Sequence, residues 1–252
     1  MKKLLYIAIA ISTLSICGCA KQKSKENLTF EELKSNTQTA LKKKQYNDAA
    51  DALECIIARF SDRPDIAKYK LALAQAYFKI GRFPSAYELY NHYNQFYPSD
   101  KSAEIAKYRA IKSKFYQTLK MDCDQTTTLE ASNLCDEYLQ NPSYTKYQKD
   151  VRDIQHTCQQ KLIDKEIYVF NFYLKKGKYQ AANNRLKYLE KEYLPKDKDL
   201  DARLLYMKCQ LAKKEKNQDH LNETLIKLSR DYPESKYSHM AKALITEPTF
   251  FF

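Results

Sequence analysis

The chain has no tryptophan, three glycines, seven prolines and four histidines among its 252 residues. Three glycines cannot build a dinucleotide fingerprint or a phosphate-cradling loop, because each needs several glycines close together. No G-x-S-x-G elbow and no H-E-x-x-H run occurs. His92, His156, His220 and His239 are scattered without metal-ligand spacing. These absences argue against nucleotide enzymes and zinc enzymes, and no catalytic residue, cofactor or metal is expected. Scarce glycine and proline favour a chain that is helical almost throughout. Hydrophobic residues make up 44% and charged residues 29%, a balance that folds rather than staying disordered.

What is present begins at the N-terminus. Met1-Lys2-Lys3 is a short basic start, and residues 4–16 form an apolar run too short to cross a bilayer. The run ends in Ile16-Cys17-Gly18-Cys19, which resembles a bacterial lipobox with Cys19 as the lipidated cysteine. Residues 1–18 are therefore expected to be a signal peptide and residues 19–28 a lipidated tether. Ala20 follows the cysteine where an aspartate would signal inner-membrane retention, so the outer membrane is the expected destination. Each buried methylene of an acyl chain contributes about 0.8 kcal/mol, enough for several chains to hold a soluble body on a membrane.

Cleavage before Cys19 removes Lys2 and Lys3 and no acid, lowering the formal charge from +12 to +10. Such an excess suits an anionic surface or partner. Many of the lysines fall where helical patterns end: Lys42, Lys43 and Lys44; Lys175, Lys176 and Lys178; Lys213, Lys214 and Lys216. Cations there also complement the negative end of a helix dipole, so the lysines alone do not identify a ligand. Cys55, Cys123, Cys135, Cys158 and Cys209 also remain; five is odd, and their pairing is left open.

The two glycines beyond the leader sit in one local motif. Gly81-Arg82-Phe83-Pro84-Ser85-Ala86 reads G-x-F-x-x-A, and Gly177-Lys178-Tyr179-Gln180-Ala181-Ala182 reads G-x-Y-x-x-A. Lys44-Gln45-Tyr46-Asn47-Asp48-Ala49 repeats the frame with lysine for glycine. The physics is that of a helical hairpin: a left-handed residue ends the first helix, an aromatic fills the angle, and alanine lets the helices approach. Proline follows the second helix at Tyr97-Pro98, Leu194-Pro195 and Tyr232-Pro233. These motifs resemble tetratricopeptide repeats, best over residues 67–98. The expected fold is all-α, a tetratricopeptide-repeat solenoid of about five units. The units span residues 30–61, 65–98, 99–142, 143–195 and 196–233, the first opened by a Thr29-x-x-Glu32 capping box. The third is degenerate, with a polar loop at 122–128, and the first helix of the fourth is long. A short tail is expected after Pro233.

Two segments sharpen the resemblance: Tyr147-Gln148-Lys149-Asp150-Val151-Arg152, and the stretch from Leu162 through Gly177-Lys178-Tyr179 to Asn184-Arg185. With the lipobox, they resemble the BamD family of outer-membrane lipoproteins, with Val151 and Phe170 standing where that family has alanine. The resemblance implies a non-enzymatic scaffold of the β-barrel assembly machinery, lipid-anchored on the periplasmic face of the outer membrane. It implies an N-terminal side, residues 29–142, that receives unfolded outer-membrane proteins. It implies a C-terminal side, residues 143–245, that docks on the POTRA domains of a BamA-like barrel insertase, with accessory Bam lipoproteins as further partners.

Repeat register places Glu31, Lys34, Gln38 and Leu41 of the first unit, and Lys68, Leu71, Gln75 and Phe78 of the second, on the face of a peptide groove. Arg185, in the matching N-R motif, and Arg203 are the candidates for partner docking. A tetratricopeptide lipoprotein serving envelope growth or division is the alternative scaffold. An electrostatic binder of lipopolysaccharide is a separate class, and export disfavours nucleic acid. The segment at residues 246–252, ending in Phe250, Phe251 and Phe252, matches no motif.

Overall fold

The computed structural model describes residues 27–193 and 198–246. The leader, Cys19, most of the tether, Leu194-Pro195 and the three terminal phenylalanines lie outside the described residues. Eleven α-helices and no strand occur among those described. They run α1 Phe30–Lys42, α2 Tyr46–Arg59, α3 Ile66–Lys79, α4 Phe83–Phe96, α5 Ala103–Phe115, α6 Thr126–Gln140, α7 Gln148–Lys175, α8 Tyr179–Tyr193, α9 Lys198–Glu215, α10 Gln218–Asp231 and α11 Lys236–Thr246.

The capping box opens α1 as its residues dictate. Thr29 Oγ1 accepts from the Glu32 N–H at 3.3 Å, and the Thr29 N–H donates to Glu32 Oε2 at 2.7 Å. Two otherwise orphaned donors are thereby satisfied.

Four hairpin turns share one geometry. Lys44, Gly81, Gly177 and Lys216 all have positive φ, between 57° and 80°. In each turn the next N–H reaches the carbonyl five residues back at 2.9 Å: Gln45 to Ala40, Arg82 to Tyr77, Lys178 to Tyr173 and Asn217 to Ala212. This is the double-bonded helix stop that requires a left-handed residue. Four residues after each of those N–H donors comes a buried side chain: Ala49, Ala86, Ala182 and Leu221. The Lys216 turn has neither glycine, aromatic nor alanine in the motif positions, so its membership in the series shows only in the backbone.

The third hairpin departs from the pattern. Residues 116–125 make a long connection, and α6 already begins at Thr126, inside the stretch expected as loop. Asp124 caps it by accepting from the Thr126 N–H at 3.0 Å, which holds the Asp124 carboxyl below its ordinary pKa. Past Pro233, Lys236–Thr246 form α11, which packs on α9 and α10 and buries Ala241 completely.

The chain divides into two compact units, one up to Asp100 and one from Lys101 on; the division expected at residue 142 falls inside the second. In the first unit α1 to α4 pack each on the next, around Leu33, Leu53, Ile56, Leu73 and Ala76. In the second, α7, α8 and α9 enclose Ile167, Phe170, Leu186, Leu189, Leu204 and Met207. The helices α9, α10 and α11 enclose a smaller cluster around Leu225 and Leu228.

Side chains link each odd-numbered helix of the second unit to the next. Tyr108 Oη of α5 donates to Asp150 of α7 at 2.9 Å, and Lys165 Nζ of α7 donates at 3.2 Å to the Cys123 carbonyl in the connection after α5. Arg203 meets Asp164 across 39 residues. Tyr206 faces Tyr237 at 6.0 Å, and Lys213 donates to the Leu244 carbonyl, both across 31. The repeated offset of 31 sets α9 and α11 parallel, as stacked hairpins produce, since each helix repeats the direction of the one two before it.

Candidate functional site

The residues expected to line a peptide groove lie on α1 and α3 of the first unit. On α1 the buried stripe is Leu33, Thr37 and Ala40; Lys34, Gln38 and Leu41 follow one position later, about 100° around the helix. Gln38 is exposed and Leu41 half-buried. Lys34 pairs with Glu31 at 3.2 Å and lies 6.0 Å from the Phe30 ring. On α3, Lys68 is exposed while Leu71, Gln75 and Phe78 are half-buried. Phe78 stands edge-on to Phe83 at 5.5 Å, so part of its ring is spent bracing its own hairpin. The two helices are brought together at their first turns, where the rings of Phe30 and Tyr69 lie 5.7 Å apart.

Sequence reasoning passed over the cluster that fixes this end. Phe30 meets Phe60 edge-on at 5.4 Å, and the Arg63 guanidinium lies 3.7 Å from the Phe30 ring centroid. Arg63 also holds Asp65 at 3.0 Å, and that hydrogen bond keeps the Asp65 carboxyl below its ordinary pKa. Arg59 donates to the Leu28 carbonyl at 2.7 Å. The point where the tether enters the fold is thus clamped to the end of α2 and the α2–α3 connection. The signal was legible only as an aromatic inside the capping box, directly after Thr29.

The docking candidates are both engaged inside the second unit. Arg185 of α8 pairs with Glu166 of α7 at 3.1 Å, and Arg203 of α9 with Asp164 of α7 at 3.1 Å. Arg185 Nε is buried with no hydrogen-bond partner among the described residues. The two arginines sit on neighbouring helices and grip α7 at positions two residues apart.

A second polar centre stiffens the start of α7. Glu104 Oε1 accepts from Tyr138 Oη and from the Lys146 N–H, each at 2.6 Å, and Tyr138 Oη accepts from the Tyr147 N–H at 3.0 Å. Tyr108 stacks on Tyr147 at 4.3 Å with the rings nearly parallel. Burial, reinforced by its hydrogen bond to Asp150, pushes the Tyr108 hydroxyl up to about 12. Burial and the bond to Glu54 do the same for Tyr77 in the first unit.

The five described cysteines are free. Burial raises the thiol of Cys135 to about 12 and those of Cys158 and Cys209 to about 11. Among the described residues no group of three or more His, Cys, Asp or Glu side chains is placed to hold a metal ion, and no helix is long and apolar enough to cross a membrane. The arrangement offers side-chain surfaces for holding other molecules.

A family model described as YfiO, outer membrane lipoprotein, matches residues 26–220. The outer membrane protein assembly factor BamD of Caulobacter vibrioides is 25% identical over 186 residues, which are 72% of this chain and 61% of that one. The chain therefore matches less than two thirds of that relative's length. Among solved structures, the type IV pilus biogenesis factor PilW aligns at a TM-score of 0.35 and 13% identity, over 83% of this chain and 96% of that one.

Proposed function

The chain belongs to the YfiO family of outer membrane lipoproteins, and from that premise we propose that it is a non-enzymatic scaffold of outer-membrane protein assembly. The family match over residues 26–220 carries this reading. It agrees with a fold that supplies surfaces and ion-paired braces. On this reading Cys19 is the acylated residue, and the lipid keeps the helical units on the periplasmic face of the outer membrane.

In the proposed division of labour, the first unit receives unfolded barrel precursors. An extended segment lies along α1 and α3, with Gln38 and Gln75 offering amides to its backbone. Leu71 and Phe78 take apolar side chains, and Lys34 and Lys68 take a negative charge. The second unit docks on the POTRA domains of a BamA-like insertase, with α7 to α9 as the docking face. Arg185 and Arg203 contribute half-exposed guanidiniums already oriented by Glu166 and Asp164. Accessory Bam lipoproteins belong to the same assembly.

Affinity isolation of the acylated protein from outer membranes tests the assignment. A barrel insertase should co-isolate in comparable amount. Recovery of cell-wall synthesis or division proteins without an insertase would instead support the envelope-growth alternative.

A further inference from the structure

The hairpin connections α1–α2, α3–α4, α7–α8 and α9–α10 are two or three residues long, whereas residues 116–125 join α5 to α6 with ten. This long connection is laid against α7 by two lysines. Lys161 Nζ donates to Thr118 Oγ1 at 2.5 Å, and Lys165 Nζ to the Cys123 carbonyl at 3.2 Å. Between those two attachments stand Leu119 and Met121, both exposed.

The same two lysines begin a stripe along α7. Lys161, Lys165, Tyr168, Phe172 and Lys175 follow one another at steps of four, three, four and three residues. At about 3.6 residues per turn the stripe stays on one side of the helix, roughly opposite the buried Ile163, Ile167 and Phe170. Tyr168 is 44% and Phe172 51% exposed, and the Lys165 ammonium lies 5.8 Å from the Tyr168 ring. The free charge along the stripe is positive. Asp164 and Glu166 are paired with Arg203 and Arg185, Asp124 caps α6, and Asp122 is left as the acid of the connection. The ammonium groups of Lys161 and Lys165 meet a hydroxyl and carbonyls rather than a carboxylate. Exposed positions at alternating steps of four and three are those of a seam between two packed helices. The seam is aromatic in the middle and basic at both ends, and from Lys161 to Lys175 it runs about 21 Å.

We propose that this seam on α7, with Leu119 and Met121 of the long connection at its Lys161 end, receives an amphipathic helix of a partner protein. The apolar side chains of that helix cover Tyr168 and Phe172, and its acidic side chains lie to either side of them, against the lysines. Charge selects this occupant, because a second copy of the chain would bring lysine against lysine. The inference rests on the scaffold reading above and gives it a binding surface besides Arg185 and Arg203. Aromatic anchors of this kind carry most of the energy of a helix laid on a surface. The lysines set its register and speed its encounter.

The test uses the full chain in a neutral detergent and a dye-labelled three-heptad helix as probe. The probe has leucine along the seam of its central heptad and glutamate along the seams of the outer two. Fluorescence anisotropy reads its binding. The proposal expects saturable binding that weakens about tenfold or more in the double variant Tyr168→Ser, Phe172→Ser, with circular dichroism unchanged because both positions are exposed. Lys175→Glu should weaken it about two- to fivefold, and high salt should weaken it too. A probe with lysine in place of glutamate should not bind. Absence of saturable binding overturns the proposal, as does undiminished binding in the double variant. Equal binding of a proline-broken probe of the same composition overturns it too, since an extended segment would then suffice. A dimer of the full chain in sedimentation that the double variant abolishes would assign the seam to a second copy instead. Co-isolation of an insertase is read separately: its absence refutes the scaffold reading, while saturable binding of the probe keeps the seam.

Discussion

Arg203 and Asp164 are 39 residues apart in the sequence and 3.1 Å apart in the fold. Their pairing sets α9 beside α7 in parallel register, and Arg185 on the intervening α8 reaches Glu166 two residues along the same helix. The longest helix among the described residues, at 28 residues, is thus held from two neighbours at nearly one level. Any partner that docks on α7 to α9 meets a surface whose charges are already oriented.

The left-handed turns give the first prediction. Lysine at positive φ costs more than glycine, so Lys44→Gly and Lys216→Gly should each stabilise by about 0.5–1 kcal/mol. A β-carbon at Gly81 would meet nothing within 4 Å, so the penalty there is torsional rather than steric. Gly81→Val should nonetheless destabilise by about 1–3 kcal/mol. Denaturant midpoints for the three variants decide; loss of stability in both lysine-to-glycine variants would mean that the turns are not held left-handed.

The ion pair on α7 predicts a measurable coupling. Arg185 and Glu166 are partly exposed, so a double-mutant cycle to alanine should give about 0.5–1 kcal/mol. Additive single effects would show that the pair contributes nothing to bracing α8 on α7.

Tyrosine sets the alkaline limit. An unfolded tyrosine loses its proton near pH 10, at about its free value, whereas Tyr77 and Tyr108 hold theirs to about 12 in the fold. A group whose pKa rises on folding stabilises fully below its unfolded pKa, and that stabilisation is lost as pH climbs through the folded value. Stability should therefore decline between pH 10 and 12, and Tyr77→Phe with Tyr108→Phe should flatten the decline. Urea midpoints across that range provide the check.

Thiol labelling tests the packing of the second unit. Cys135, Cys158 and Cys209 are fully buried with raised pKa, while Cys123 is exposed. A neutral alkylating reagent at pH 8 should label Cys123 within minutes and the buried three only in denaturant. Mass spectrometry of the labelled peptides reads the order, and prompt labelling of Cys135 in native protein would contradict the α6–α7 contact.

The sequence made the hairpins legible wherever a residue carries its backbone preference openly. Glycine at 81 and 177 announced a left-handed turn, and Thr29 with Glu32 announced a helix start. Lys216 announced nothing, because lysine is common and its positive φ is imposed by α9 and α10 packing around it. The helix α11 was obscured by Pro233, which ends α10 but does not prevent a new helix three residues later. The outward placement of Lys34, Gln38 and Lys68 could be read by counting along a helix, since exposure follows from periodicity. The ion partners of Arg185 and Arg203 could not, because they lie across helices and depend on register that only the folded chain sets. The Arg63–Phe30 stack escaped for the same reason.

Site-specific photo-crosslinking in cells tests the central claim most directly. A crosslinking residue at Gln38, exposed on α1, should capture newly made β-barrel precursors during a pulse, with the adducts disappearing in the chase as the barrels fold. The Lys34→Glu, Lys68→Glu variant should weaken that capture several-fold, at about 1 kcal/mol for partly solvated charges, while the complex with the insertase persists. Capture of mature, folded proteins only, or loss of both partners together in that variant, would contradict a substrate-receiving first unit on a lipid-anchored assembly scaffold.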